Sequence, residues 1–343
     1  MSANSKIRFA VIGAGAIAPA HIKAIAANSN AELVAIADSV EDKAKARAQE
    51  YGIPYAYKDY QEMLQREDIH AVSISLPSGM HADAVIAAAQ AGKHVLCEKP
   101  LEITKLKMDR MIRECRERNV KLAVVYQRRT HPAAIMARQA IQEGKLGKLV
   151  LGDVYMKYYR SPEYYKSAGW RGTWALDGGG ALMNQGVHGI DLLQWMMGDV
   201  ASVFAYSAAL VRDIEVEDTA VAVVKYKNGA FGVIQGATSV YPEMETRFEL
   251  HGEKGSITIG NAGIHKWSFL DDEKGSSIPP IVIPGNMEAA AISEDGHEIL
   301  VDDLIHAIWE DRDPLVTGEE ARKAVEIILA IYESSQLGKE IFL

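Results

Sequence analysis

Two short stretches of this sequence place groups suited to proton chemistry where neighbouring elements hold them. HVLCEKPL at 94–101 carries Lys99 immediately before Pro100, and ALMNQGVHGIDLLQW at 181–195 carries His188 between Asn184 and Asp191. A histidine titrates near neutrality and serves as general acid or base, while a lysine ammonium stabilises a developing alkoxide. Burial lowers a lysine pKa, so the two roles are exchangeable, and the sequence leaves open which of the pair is the base. At about 3.6 residues per turn, Asn184, His188 and Asp191 fall on one helix face, opposite Gly186, Ile190, Leu193 and Met197. That face reads either as a catalytic array or as the solvated side of an amphipathic helix.

The elements that must position these groups begin with strand-like runs alternating with helical patterns: IRFAVIG, ELVAIAD, AVSISLP, HVLCEKP and KLAVVYQ. This alternation predicts a Rossmann-type parallel sheet with helices on both faces over residues 1–127. The first turn reads GAGAIA, residues 13–18. Gly13 permits the tight turn, Gly15 lets the backbone approach a pyrophosphate, and Ala16, Ile17 and Ala18 lead into a helix. Asp38 ends the second strand, where a carboxylate binds both ribose hydroxyls or caps the next helix. With no arginine directly beside it, it disfavours the extra phosphate of NADP, so the expected cofactor is NAD. Lys99, at the carboxyl end of a strand, should point into the ligand crevice, and a cis bond to Pro100 would fix its direction. Pro19 is tolerated in the first turn of its helix, and His21 reads as a packed helix residue.

The ordered set GAGAIA, LPSGMH (76–81), Glu98-Lys99-Pro100, YQRRTHPA (126–133) and GGGALMNQGVHGIDLLQW resembles the glucose-fructose oxidoreductase / inositol dehydrogenase / MocA family. The resemblance implies that Lys99, His188 and Asp191 face the reacting carbon. It also implies that the LPSGMH, EKP and YQRR segments flank the nicotinamide, which makes Pro77, Ser78, His81, Glu98, Lys99 and Gln127 cofactor candidates. The sequence departs from the commoner family pattern in three places. Ser78 and Gln127 stand where Asn is frequent, and Asn184 stands where many relatives have an aspartate four residues before the histidine. An aspartate stabilises imidazolium, whereas a neutral amide only orients the ring.

From residue 128 to 343 the pattern becomes β-rich: LVLGDVYMKYY, ASVFAYSAAL, DTAVAVVKY, GAFGVIQGAT, TRFELHG and GSITIG. Short turns such as KNGA predict a largely antiparallel open sheet, one face of which is expected to form a homodimer or homotetramer. Two closing helices are expected in DDLIHAIWEDRDP and EEARKAVEIILAIYESS, and a loop in the acidic stretch from Asp271 through SSIPP. Residues 155–174 hold Tyr155, Tyr158, Tyr159, Tyr164, Tyr165, Trp170 and Trp174 among Lys157, Arg160 and Arg171. Aromatic faces suit sugar C–H surfaces and the cations suit hydroxyls, a carboxylate or a phosphate, so Tyr158, Arg160, Trp170 and Arg171 join Lys99, Asn184 and His188 as substrate candidates. The competing reading is that the aromatics pin a long loop to the sheet. Gly178-Gly179-Gly180 either brings backbone close to a ligand or starts the helix, and His297 is a weaker candidate for the rim of the site.

Composition narrows the function. With 343 residues, 48% hydrophobic, 24% charged and a net charge of -9, the chain reads as two globular domains without broad attraction to nucleic acid or anionic lipid. No apolar run approaches the roughly 18 residues that span a bilayer, and the N-terminus shows no cleavage pattern. Cys97 and Cys115 do not make a disulfide framework or a thiol metal site, and a reducing cytoplasm fits. No metal is expected, so proton transfer falls to side chains.

The expected function is NAD-dependent hydride transfer from a ring secondary hydroxyl of a sugar, sugar acid, nucleotide-sugar or cyclic polyol. The Asn-Gln-Gly-Val-His helix resembles family members that oxidise a UDP-sugar acid. The alternatives are an NAD-dependent glycosidase acting through transient oxidation and a non-catalytic nucleotide-sensing regulator. The presence of both Lys99 and His188 disfavours the regulator.

Overall fold

The structure is a computed structural model that describes residues 5–270 and 294–343. Residues 5–127 and 294–322 form one compact unit, and residues 128–270 and 323–343 a second. A single cut after residue 127 would have left 294–322 with the second unit. The loop expected from Asp271 through SSIPP lies outside the described residues.

The first unit is a six-stranded parallel sheet: β1 (Ile7–Ile12), β2 (Ala31–Ala37), β3 (Tyr55–Tyr57), β4 (Ala71–Ile74), β5 (His94–Cys97) and β6 (Leu122–Val124), in the order β3-β2-β1-β4-β5-β6. Its helices are α1 (Ala18–Ala27), α2 (Glu41–Tyr51), α3 (Tyr60–Leu64), α4 (His81–Gln90) and α5 (Lys105–Glu117). Strands β1 and β4 are almost entirely buried, which is why they read as unbroken apolar runs rather than alternating ones. Strand order reverses between β1 and β4, and Gly13, Ser75 and Glu98 follow β1, β4 and β5 at their carboxyl ends. That edge is where open α/β sheets bind ligands.

The second unit begins with α6 (Pro132–Gln142), β7 (Leu149–Lys157), α7 (Pro162–Lys166) and α8 (Val187–Met197). Strands β8 (Val200–Ala208), β9 (Thr219–Tyr226), β10 (Phe231–Ala237), β11 (Arg247–Gly252), β12 (Gly255–Gly260) and β13 (Gly263–Phe269) follow. Helix α9 (Glu294–Trp309) belongs to the first unit, α10 (Gly318–Leu337) runs on into the second, and β14 (Ile341–Phe342) completes the large sheet. The sheet order is β13-β12-β11-β7-β10-β9-β8-β14, antiparallel throughout except for the β7–β10 pair.

Helix α8 lies on one face of this sheet because two glycines admit it. A Cβ on Gly189 would sit 2.4 Å from the sulfur of Met156, and one on Gly152 would sit 2.4 Å from Cγ of Met197. On the opposite face β9 alternates strictly, leaving Val221, Val223 and Lys225 exposed between buried Ala220, Ala222, Val224 and Tyr226. Among the described residues no helix is long and apolar enough to cross a membrane.

Candidate functional site

In the first unit, backbone geometry accounts for the glycine pattern. Gly13 has φ +102°, and a Cβ there would lie 2.6 Å from the Ser75 carbonyl oxygen, so any side chain is excluded. At Gly15 nothing lies within 4 Å of the Cβ position, which leaves open space beside the backbone that precedes α1. Asp38 closes the turn from the β2 side. Its Oδ2 accepts the Ala14 N–H at 2.8 Å and its Oδ1 the Val40 N–H at 2.9 Å, so the carboxylate is held rigidly beside the glycine loop. Ala16 is exposed and Ile17 half-buried. These residues fit a dinucleotide: open space at the second glycine, backbone N–H groups leading into α1, and a fixed acceptor for ribose hydroxyls.

The other cofactor candidates divide. Pro77, Lys99 and Gln127 are half-buried, Ser78 is buried, and the Lys99–Pro100 peptide is cis. His81 is fully buried, with Nδ1 2.8 Å from the Pro100 carbonyl and Nε2 2.9 Å from the Leu76 carbonyl. Both nitrogens are spent on backbone, so this ring ties the LPSGMH segment to the EKP segment instead of presenting an edge to a cofactor. Glu98 is likewise buried among protein groups.

In the second unit the sequence expectation of one continuous helix is corrected. Residues Ala181–Gly186 form a π-helical turn, and α8 begins only at Val187. Asn184 and His188 therefore stand in segments of different pitch, so a spacing rule based on 3.6 residues does not relate them. Both are half-buried, whereas Asp191 is 1% exposed. The Asp191 carboxylate takes a bidentate pair from Arg129, Nε to Oδ2 at 2.8 Å and NH2 to Oδ1 at 2.7 Å. It is thus committed to a buried guanidinium, which a helical wheel cannot show.

The triple glycine has a packing reason. A Cβ on Gly180 would meet the Glu217 carbonyl oxygen at 2.2 Å, and Gly179, with φ +155°, sits against the Tyr332 hydroxyl. The buried Glu217 carboxylate accepts the N–H groups of Gly180 (2.9 Å) and Leu182 (2.8 Å) and the Tyr332 hydroxyl (2.8 Å), which anchors the π turn. Burial pushes its pKa up against the opposing pull of those donors. Asp177, also buried, accepts the Gly172 N–H and the Asn184 side-chain amide. Sequence reasoning passed over Arg129, Asp177 and Glu217. Only Asp177 carried a signal, as a charge inside the apolar and glycine-rich WALDGGG, whereas Arg129 in YQRRTH and Glu217 in RDIEVED sit among other polar residues.

Around this turn runs a polar network. Arg160 donates from Nε to Gln185 Oε1 at 3.1 Å and pairs with Glu243 at 2.8 Å. Gln185 donates to the Tyr164 hydroxyl at 2.8 Å, and Arg171 donates to the same hydroxyl. The Arg171 guanidinium stacks over Tyr164 and Trp170, 4.2 and 4.7 Å from the ring centroids. Burial raises the Tyr164 pKa, so its hydroxyl stays protonated. Tyr158 leaves the substrate set: it is 2% exposed, with its hydroxyl 2.7 Å from Thr246 Oγ1. Tyr165 is buried in the same way against Thr238, so these two rings pin the loop while Tyr164 and Trp170 serve the arginine stack.

Residues 7–126 match the oxidoreductase family with an NAD-binding Rossmann fold, and residues 135–258 match the GFO/IDH/MocA C-terminal domain. Myo-inositol 2-dehydrogenase of Thermotoga maritima is 29% identical over 330 residues, covering 93% of each chain. The WlbA dehydrogenase of Bordetella pertussis, solved with NADH and UDP-GlcNAcA, is 35% identical with a TM-score of 0.88 over 98% of this chain and 99% of that one. Its counterpart from Chromobactrium violaceum, solved with the same ligands, is 34% identical with a TM-score of 0.87, over 98% and 96%. The chain belongs to the Gfo/Idh/MocA family of NAD-binding oxidoreductases.

Proposed function

We propose that this oxidoreductase is an NAD-dependent dehydrogenase of a nucleotide-linked sugar acid, oxidising a secondary ring hydroxyl. The observation that carries the reading is the joining of Arg160 and Arg171 through Gln185 and Tyr164, on the same unit as His188. Guanidinium groups braced in this way suit carboxylate and phosphate oxygens, and stacked rings suit a sugar face. The likeness to enzymes solved with NADH and UDP-GlcNAcA supports the same substrate class.

Bound NAD supplies the hydride acceptor. His188 takes the hydroxyl proton, and Lys99 stabilises the negative charge that develops on the substrate oxygen. Asn184, held by Asp177, orients without adding charge. Asp38 receives the ribose hydroxyls and, as a fixed anion, repels the additional phosphate of NADP, which favours NAD. Two further readings complete the proposal. The open face of the large sheet joins a second copy of the chain, and the two free buried cysteines, Cys97 and Cys115, suit a reducing cytoplasm.

The test is a substrate panel of UDP-GlcNAcA, myo-inositol and simple aldoses, with NAD and NADP in parallel and NADH accumulation as the readout. Turnover should be highest with UDP-GlcNAcA and NAD. Turnover with inositol but not with the nucleotide sugar would move the protein to the polyol branch of the reading.

A further inference from the structure

Three buried side chains from separate elements of the first unit meet just beyond β5: His21 on α1, Glu98 and His297 on α9, exposed by 0%, 6% and 1%. Glu98 Oε1 lies 2.9 Å from His21 Nε2 and 3.3 Å from His297 Nε2, while Oε2 accepts the backbone N–H of Lys99 at 3.0 Å. The Ser73 hydroxyl lies 2.7 Å from His21 Nδ1, so Ser73 donates there and leaves the His21 Nε2–H to donate to Glu98. The two imidazole rings meet edge to face at 5.1 Å. His21 is the packed helix residue the sequence suggests, but Glu98, read as a cofactor contact, and His297, read as rim, lie buried against it.

We infer that Glu98, clamped between His21 and His297, is a positioning residue for Lys99. Its carboxylate fixes the backbone from which the lysine side chain leaves β5 and sets a negative charge beside it. A carboxylate this deep persists only if its oxygens are fully served by donors, and apolar side chains would fill the same space more cheaply if packing were the sole requirement. The donors here are imidazole and peptide N–H groups. Burial, with lesser contributions from His297 and His81, holds His21 below its usual pKa despite Glu98, so the His21 donor is neutral and does not cancel the charge. Burial pushes the Glu98 pKa up, but the hydrogen bonds from the two histidines outweigh it and hold the carboxyl well below the usual range. The ionisable groups around this cluster include His81, Cys97, Cys115 and Glu102. Lys107 is paired with Glu102 at 2.9 Å, and Lys99 is the residue that directly follows Glu98 in the chain.

This inference rests on the role proposed above for Lys99, and its test separates the two. Lys99 reactivity toward an acylating reagent, measured by mass spectrometry across pH, needs no substrate. It is paired with kcat, KM and NAD affinity using UDP-GlcNAcA. Glu98→Gln should lower kcat by roughly 10²-fold, the order expected for a misplaced reacting group, with NAD affinity retained. It should also move the Lys99 labelling midpoint to lower pH, because the amide carries no charge to favour the ammonium. Glu98→Asp should recover part of both effects.

Loss of NAD affinity with an unmoved midpoint would make Glu98 a cofactor contact and overturn the inference. Stoichiometric zinc in the purified protein, lost in His297→Gln, would replace the hydrogen-bonded cluster with a metal site. If Glu98→Gln does not fold, His297→Leu should lower kcat and His297→Gln restore it, and equal rates for the two would overturn the inference. Full turnover by Lys99→Ala would instead refute the proposed role of the lysine, while the labelling midpoint still decides what Glu98 does.

Discussion

His188 stands in the first turn of α8, directly after a change of helical pitch, and the residue meant to tune it belongs to the preceding π turn. If it is the base, His188→Ala should bind NAD normally and lose roughly 10²–10⁴-fold in kcat. Near-normal turnover in that variant beside a dead Lys99→Ala would assign the proton to lysine. Asn184→Asp, which from sequence alone promises a simple rise in histidine pKa, acquires a complication here. The new carboxylate would face Asp177, so one of the two acids should stay protonated and the effect on His188 should be muted. Asp38→Ala should weaken NAD selectively, and NADP used as efficiently as NAD by the unmodified protein would remove the argument from charge. Glu98 has a depressed folded pKa, so its contribution to stability is present above its ordinary value of 4.5 and is lost as pH falls through the folded value. The melting-temperature gap between wild type and Glu98→Gln should therefore be full at neutral pH and narrow on acidification. A gap unchanged through the acid range would contradict that sign.

The individual elements show which signals a sequence carries. The glycine loop, Asp38 and the strand-end lysine were legible because each follows a local rule: a strand, a tight turn, a helix start. Strand β3 was not, since three residues, Tyr55–Tyr57, at the sheet edge are too few to show alternation. The π turn was missed for a different reason: its cause lies at Glu217 and Tyr332, far along the chain, and the three glycines only permit what those residues impose. The family resemblance placed Asp191 at the reacting carbon, and its position on one helix face with His188 was compatible with that, yet its partner Arg129 is 62 residues away. Asp191→Ala would leave that guanidinium buried without its carboxylate, a loss on the order of 3–5 kcal/mol. Chemical denaturation should register this as a stability change. A variant as stable as wild type but catalytically dead would return Asp191 to the chemistry.

For the whole molecule, the alternation that defined the large sheet also exposes one of its faces. Val221 and Val223 on β9 are 39% and 55% exposed, Phe231 on β10 is 58% and Tyr206 on β8 is 72%. Register sets Val223 opposite Val233 and Phe204, and Val221 opposite Tyr206, with the polar Lys225 opposite Phe231 and Gln235 opposite Val221. Leu151 on β7, 45% exposed and paired with Phe231, extends the patch across a fourth strand. Monomers seldom leave an apolar area this continuous in water, whereas an isolated exposed residue would need no explanation. A sheet face pairs well with its own copy because a two-fold axis sets the same patch against itself, burying apolar area on both chains with one set of residues. Val223→Glu places a charge at the middle of that patch without touching the buried side of β9 or any residue proposed for chemistry. Light scattering should show the wild-type protein as a dimer or larger assembly and the variant shifted toward monomer, with NAD affinity retained. A wild-type protein that is monomeric at high concentration would refute the self-association argument.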